Sequence, residues 1–385
     1  MKKCIFLLLF STYVLLCSCC KPVPTFDPVL QSRCQNICDM CVDLGIQTGM
    51  QFCVYQEGEC IVDVCSGRLS REENAPKVTP SSLFAIFSTE KPLLSTAVHR
   101  AVEMGLMDYD KPLNTWWPEF TGDGKDSLTL GMTLAYRSGM PGSLDQTLFP
   151  TWESRTDWRK ILEWAAAVKP VDKPCTVQKY MPLSYAWMLG HPLEVAYGKP
   201  LKETLDELVL EPSGISDEFF FAAGDKELPR IATIYGEPVE HMNLDTLRRT
   251  CMPSAWAVAS ARSIAKFYNR LCGYDGMAPL ISKETLDKAL VLCRAEDDPL
   301  PSDLETNHHM IFGMGYGLWG HTDNLSKVFG HAGAGGSATG LVDRERHITI
   351  GITCNESEGS CLARYLLLKA INFEWRNSDN PVAPL

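Results

Sequence analysis

Leu83-Phe84-Ala85-Ile86-Phe87-Ser88-Thr89-Glu90-Lys91-Pro92-Leu93-Leu94 carries an apolar, strand-like run straight into a serine, with a lysine three residues on and a proline next to it. Pro92 suits the first turn of a helix, where its missing N–H costs nothing. A helix is therefore expected to open at Ser88 and to run to about Glu103. On a helix, side chains at i and i+3 share a face, so Lys91 can fold back over Ser88. A serine hydroxyl attacks carbonyls poorly at neutral pH, and a deprotonated amine beside it can take its proton as attack begins. The free N–H groups and positive end of the helix favour a developing oxyanion and help depress the lysine pKa. Taken alone, the stretch also fits an ordinary helix-capping serine.

The same spacing occurs at Ser18/Lys21 and Ser263/Lys266. Ser18 lies in an export-like segment and Ser263 inside a helical run from Ala261 to Leu271, so only Ser88 has a strand leading into it.

The chain has 385 residues, 45% of them hydrophobic, enough for a sizeable core in one large domain or two interleaved ones. A net charge of -11 without a basic run argues against nucleic acid or an anionic membrane surface as the main partner, and leaves a small molecule. Residues 1–20 stand apart. Lys2 and Lys3, an apolar stretch from Ile5 to Leu16 and then small residues read as an export signal. Leu16-Cys17-Ser18-Cys19 has the form of a bacterial lipobox with Cys19 as the acylated residue, which predicts a lipid-anchored protein of the cell envelope; a soluble exported protein is the alternative. The apolar run falls short of the roughly 20 residues a membrane span needs.

Twelve cysteines follow Cys20 with no repeated spacing, and buried free thiols are the plainest reading. Cys34, Cys38 and Cys41 have the spacing of an iron–sulfur loop, but Leu30, Cys34, Ile37, Cys38, Cys41 and Leu44 also form one helical stripe, as a core-facing helix would. The helix reading is preferred, and no metal is expected. His308-His309 reads as loop or surface.

Met50 to Tyr55 and Cys60 to Cys65 are strand-like around a Glu57-Gly58 turn, which makes a hairpin. Strand signals return at Phe329 to His331, Ser337 to Val342 and His347 to Cys354, with mainly helical patterns between Asp108 and about Thr250. The expected fold is α+β: an antiparallel sheet flanked by helices and built from both chain ends, about 30–107 and 255–372, with a helical insertion at about 108–254. Residues 373–385 are expected to be a tail.

Several separate segments resemble the serine β-lactamase-like superfamily, in its class C β-lactamase and family VIII carboxylesterase branch, over about residues 26–372. Phe84 to Gly105 is similar to the nucleophile helix, Asp110 to Phe120 to the family's Asp-x-Pro-Val segment, and Leu134 to Pro141 to its His-Thr-Ser-Gly-Leu-Pro stretch with Tyr136 for the histidine. Glu211 to Asp217 resembles its Glu-Pro-Leu-Gly-Met motif. The second catalytic element should be Tyr-x-Asn. Tyr180-Met181-Pro182 supplies the tyrosine and lacks the asparagine. His331-Ala332-Gly333 matches the third element, with Gly333, Gly335 and Gly336 leaving room for substrate along the strand edge.

The resemblance implies acyl transfer to water. Ser88 is the nucleophile, Lys91 and Tyr180 shuttle protons, His331 lies at the site, and the N–H groups of Ser88 and Ala334 form the oxyanion hole. A phenol of reference pKa about 10 needs positive charge nearby to act as an anion, which Lys91 and the helix end could supply. No cofactor is implied. The substrate is a small ester or amide, and without the asparagine that holds a β-lactam's amide the site suits a carboxylesterase better than a β-lactamase or D-alanyl peptidase. A non-catalytic binding protein on the same fold is the alternative of another class. Trp116, Trp117, Trp152 and Trp158 offer either walls for an acyl pocket or plain packing.

Overall fold

Alternating side chains in Met50-Gln-Phe-Cys-Val-Tyr55 need two different neighbours, one on each face of a strand. The computed structural model, which describes residues 28–293, 311–320 and 324–374, supplies both. Strands β1 (Gly49–Gln56) and β2 (Glu59–Gly67) form the expected hairpin. Its two turn residues, Glu57 and Gly58, have φ of 48° and 89°, the left-handed pair that a tight hairpin turn requires. β1 then pairs antiparallel with β9 (Ile348–Cys354), which continues through β8 (Ala338–Asp343) and β7 (Val328–Ala332) to the short β6 (Gly317–Leu318). The order β2-β1-β9-β8-β7-β6 joins both chain ends in one sheet, as the sequence predicts.

Helices α1 (Pro28–Asp43) and α6 (Ser357–Ala370) cover one face, where Met50, Phe52 and Val54 meet Ile350, Ile352, Ala363 and Leu367. Cys34, Cys38 and Cys41 lie in this layer with no solvent exposure, so the stripe is core. Leu44 departs from it. It follows the last turn of α1 and is 68% exposed. The twelve cysteines from Cys34 to Cys361 are free thiols, and burial pushes that of Cys34 up to about 11.

On the other face α5 (Ala261–Cys272) lies against β1, β8 and β9. Two glycines admit it. A Cβ on Gly351 would stand 1.9 Å from the Ala261 carbonyl oxygen, and one on Gly340 would stand 2.4 Å from the Tyr268 ring.

Beyond α5 lies the helical region, with α2 (Lys91–Glu103), α3 (Trp158–Ala167) and α4 (Ser184–Tyr197) as its longest members. α2 is buried on nearly all sides, as a helix at the centre of a large core must be. Two of its polar residues are satisfied locally: Ser95 and Thr96 donate back to the carbonyls of Lys91 and Pro92, at 2.9 and 2.7 Å. The insertion is not wholly helical. Phe219–Phe220 (β4) joins β3 (Phe84–Ala85) and β5 (Val258–Ala259) in a second sheet of order β3-β5-β4. Two-residue strands are too short for periodicity to reveal. Residues 1–27, with Cys19 and the export-like segment, His308-His309 and the tail beyond residue 374 lie outside the described residues.

The fit of α5 on the sheet predicts that Gly351→Ala, which must push Ala261 away, costs about 1–3 kcal/mol. The urea midpoint measures it, and an unchanged midpoint would contradict this packing.

Candidate active site

The chain reaches Ser88 through a strained step. Phe87, buried and not glycine, has φ of 46°, and Phe87–Glu90 form one turn of 3-10 helix that runs into α2 at Lys91. In a 3-10 turn, residues i and i+3 are eclipsed, which stacks Lys91 on Ser88 more directly than an α-helix would. Lys91 N bonds to Ser88 O, and Lys91 Nζ lies 3.0 Å from Ser88 Oγ.

Two carbonyls from distant parts of the chain take the rest of the amine. Pro182 O accepts from Lys91 Nζ at 2.9 Å and Ser254 O at 2.5 Å. The side chain has no solvent exposure. Burial lowers its pKa to about 7, against the opposing pull of the neighbouring Glu90 charge. Burial is the largest cause. A neutral amine has two N–H groups and one unshared pair. With Pro182 and Ser254 taking the N–H groups, the unshared pair is left for the Ser88 proton.

Tyr180 reaches the same point on a strap running over residues 175–183. Lys179 N donates to Tyr136 O at 2.8 Å, and Gln178 Nε2 donates to the carbonyls of Ala135 and Phe312, both at 3.0 Å. The Tyr180 hydroxyl lies beside Ser88, and Lys91 Nζ is 5.1 Å from its ring centroid. Burial pushes the phenol above its ordinary value, with Ser88 opposing. Tyr180 therefore rests protonated, contrary to the expectation that Lys91 would help make it an anion. The sign follows from Lys91: an amine whose pKa is about 7 is not a standing positive charge.

Tyr136 lies beneath, fully buried with φ of 59°, stacked on Tyr185 at 4.5 Å and on Tyr180 at 5.6 Å. Phe312 closes the stack at 5.6 Å from Tyr180. His331, on β7, has its ring 6.0 Å from Tyr180 and 5.8 Å from Phe312. Its Nδ1 donates to Ala332 O at 2.9 Å, so Nδ1 carries a proton.

β7 ends against the nucleophile turn. A Cβ on Gly333 would lie 2.6 Å from Ile86 O and 3.3 Å from Phe87 Cβ, so only glycine permits the approach. The next residue, Ala334, opens a 3-10 turn and is exposed. Gly335 and Gly336 serve packing of another kind. Both have positive φ, and side chains there would meet Ser357 and Val239, or Cys361 and Arg364, so they admit α6 to the turn.

The structure thus brings Ser88, Lys91, Tyr180 and His331 together. The decoy pair Ser263/Lys266 is separated: Ser263 Oγ bonds to the carbonyls of Glu218 and Ser260, and Lys266 Nζ to Gly214 O. Of the four tryptophans, Trp116 and Trp117 are core, and Trp158 packs on Gly190. Trp152 alone leads toward Ser88: it stacks on His241 at 3.7 Å, whose ring meets Phe87 edge-on at 6.1 Å. Sequence reasoning passed over Glu90 and Ser254. A carboxylate flanked by Leu83–Phe87 and Pro92–Leu94 was a signal that a buried acid needs partners, whereas nothing in Ser254-Ala255-Trp256-Ala257 announces a role.

Comparison with protein families matches residues 42–370 to the family described as Beta-lactamase. The chain is 25% identical to the Esterase/beta-lactamase LipL of Mycobacterium tuberculosis over 354 residues, 80% of this chain and 77% of that protein. Among solved structures, it is similar to a penicillin-binding protein homologue from Caulobacter crescentus, with a TM-score of 0.74, 21% identity and coverage of 91% of this chain and 99% of the other. A family VIII carboxylesterase matches with a TM-score of 0.74 and 20% identity, over 90% of this chain and 98% of the other. At these identities the two structures speak for the fold.

Because Lys91 must be neutral to take a proton, labelling of Ser88 by a fluorophosphonate is expected to be flat above pH about 7 and to fall about tenfold per pH unit below it. The pH dependence of the labelling rate measures this; a profile level down to pH about 5 would rule out an amine with the depressed pKa as the base.

Proposed function

The chain belongs to the Beta-lactamase family, and from that premise we propose that this serine hydrolase is a carboxylesterase working through an acyl-Ser88 intermediate. The observation that carries the choice of ester is Pro182. Two residues after Tyr180, where the family's Tyr-x-Asn element would present a side-chain amide, this chain has a proline with no amide, and its carbonyl is occupied by Lys91 at 2.9 Å. A β-lactam's acylamino group has one partner fewer. An ester needs no such partner. The name of LipL joins both activities, which makes the proline the discriminating feature.

In the proposed reaction the neutral Lys91 amine takes the Ser88 proton while Oγ attacks the ester carbonyl. The N–H groups of Ser88 and Ala334, on adjoining turns held together by the Gly333 contact, receive the oxyanion; losing one such donor typically costs about 10²–10³ in rate. Tyr180, protonated at rest and beside Ser88, passes a proton to the departing alkoxide and is resupplied from Lys91. Water then attacks the acyl-serine with its proton leaving along the same path, and the carboxylic acid departs. His331 borders the phenol and the substrate's edge. Trp152, through His241 and Phe87, offers an aromatic wall for the acyl or alcohol group.

Hydrolysis of p-nitrophenyl butyrate by the purified protein is the test, with a chromogenic cephalosporin and a D-alanyl dipeptide in parallel. Ester turnover is expected to fall by about 10⁴ or more in Ser88→Ala, with little cleavage of the other two. Steady Ser88-dependent turnover of the D-alanyl peptide without ester hydrolysis would replace the esterase reading by a peptidase, and no Ser88-dependent turnover at all would favour a binding protein.

An exported, lipid-anchored location in a bacterial envelope is part of the proposal and rests on residues 1–20 alone. Labelled palmitate fed to expressing bacteria is expected in the wild-type protein and absent from Cys19→Ser. Equal labelling of the two, or none in either, would refute acylation at Cys19.

A further inference from the structure

Glu90 lies between the nucleophile and the base in sequence, yet its side chain leaves them both, because neighbours on a helical turn point in different directions. Its carboxylate is fully buried. One oxygen accepts the N–H of Trp256 at 2.7 Å and the other that of Ala257 at 3.1 Å. Burial raises the acid's pKa, and the Lys91 charge and these N–H groups oppose it; with an N–H donated to each of its two oxygens, the group is held as the carboxylate. An acid held in such a place is costly unless it is fully bonded, so what it holds is informative.

It holds the segment Ser254–Ala257. Ser254 O is the shorter of the two carbonyl bonds on Lys91, at 2.5 Å, and the Glu90 bonds fall on the second and third residues after it. Ala257 O accepts from Ile86 N at 3.1 Å, which ties the same segment to the residue before the strained Phe87. From the other side Ser254 Oγ donates to Leu183 O at 3.1 Å, next to the Pro182 carbonyl that takes the second Lys91 N–H.

We infer that Glu90 is a positioning residue for the base: its carboxylate, by holding the N–H groups of Trp256 and Ala257, fixes the Ser254 carbonyl on the Lys91 amine and so turns the amine's third position toward Ser88 Oγ. This rests on Lys91 as the acceptor of the Ser88 proton. Glu90 makes and breaks no covalent bond. Its negative charge also favours the ammonium that forms on Lys91 away from solvent. Only a carboxylate does both. A glutamine presents one oxygen, and sets an NH2 donor against the second N–H. The other titratable groups around the pair are Tyr180 from the strap, Tyr185 from α4, Cys251 from the stretch before Ser254, and His331 from β7 beyond Tyr180. Burial holds both phenols and the Cys251 thiol protonated, so the charge Lys91 feels from its surroundings is that of Glu90.

The experiment follows the rate of fluorophosphonate labelling of Ser88 against pH in the full chain, with kcat and KM for p-nitrophenyl butyrate and a thermal melt, for Glu90→Gln, Glu90→Asp and Ser254→Ala. In Glu90→Gln the labelling plateau is expected to fall about 10–100-fold with KM within about threefold, and the midpoint of the acid limb to move to lower pH, since the charge that favours the ammonium is gone. Glu90→Asp keeps the charge and shortens the reach, so its plateau falls with the midpoint near that of the wild type. Ser254→Ala loosens the same carbonyl without altering a charge, and is expected to lower the plateau and leave the midpoint in place. A Glu90→Gln protein with wild-type plateau and midpoint overturns the inference, whatever its melting temperature. Should that variant not fold, Ser254→Ala labelling at the wild-type rate overturns it. Wild-type protein whose Ser88 does not label would instead remove the reading of Lys91 on which the inference stands.

Discussion

The Lys91 amine is the point on which the site converges. It has no solvent, and its partners come from three separate parts of the chain: Ser88 from its own turn, Pro182 from the strap before α4, and Ser254 from the segment before β5. Desolvation does the chemical work here. In water the amine would be an ammonium at neutral pH, with no pair to offer; in this enclosure its pKa is about 7, and two carbonyls leave one direction open. The same burial that lowers the lysine raises Tyr180, so one physical cause separates the groups into a proton acceptor and a proton donor. That separation is what acid–base catalysis around one hydroxyl requires.

Holding the enclosure together is largely a matter of backbone approach. Gly333 lets the end of β7 press on Ile86 and Phe87, while Gly340 and Gly351 let α5 lie close on the sheet. Thr89 Oγ1, from the nucleophile turn itself, donates to Ala338 O at 3.2 Å and adds a tie to β8. The sheet thus reaches the Ser88 turn through contacts that a Cβ would prevent, and the strain at Phe87 persists because both sides are pinned. Tyr185, Tyr136, Tyr180 and Phe312 form the complementary, side-chain part of the support. Tyr136 backs Tyr180 by stacking, with ring centroids 5.6 Å apart.

Much of the fold was legible because it rests on local rules. The hairpin turn at Glu57-Gly58, the alternation of β1, the core stripe of Cys34, Cys38 and Cys41, and the return of strands near the C-terminus are all written in patterns of two to ten residues. The pairing of Ser88 with Lys91 belongs to the same class, since one turn of helix supplies it. What failed to show were features with no period. The two-residue β4 and the exposed Leu44 beyond the last turn of α1 depend on what packs nearby, as do the burial of Trp116 and Trp117.

The sequence by itself determined the architecture, the Ser88 hydroxyl and Lys91 amine on one turn, the tyrosine without its asparagine, and the glycine-rich strand end with His331. Tertiary structure alone decided the electrical state of these groups, and the reason is that a pKa is set by how many solvent contacts are lost and by which oxygens remain. Ser254 O and Pro182 O are backbone atoms that any residue type would carry, and the Trp256 and Ala257 N–H groups ones that any residue but proline would. No pattern of side chains encodes them. They become part of the site only when segments 91 and 163 residues from Lys91 in sequence are folded against α2.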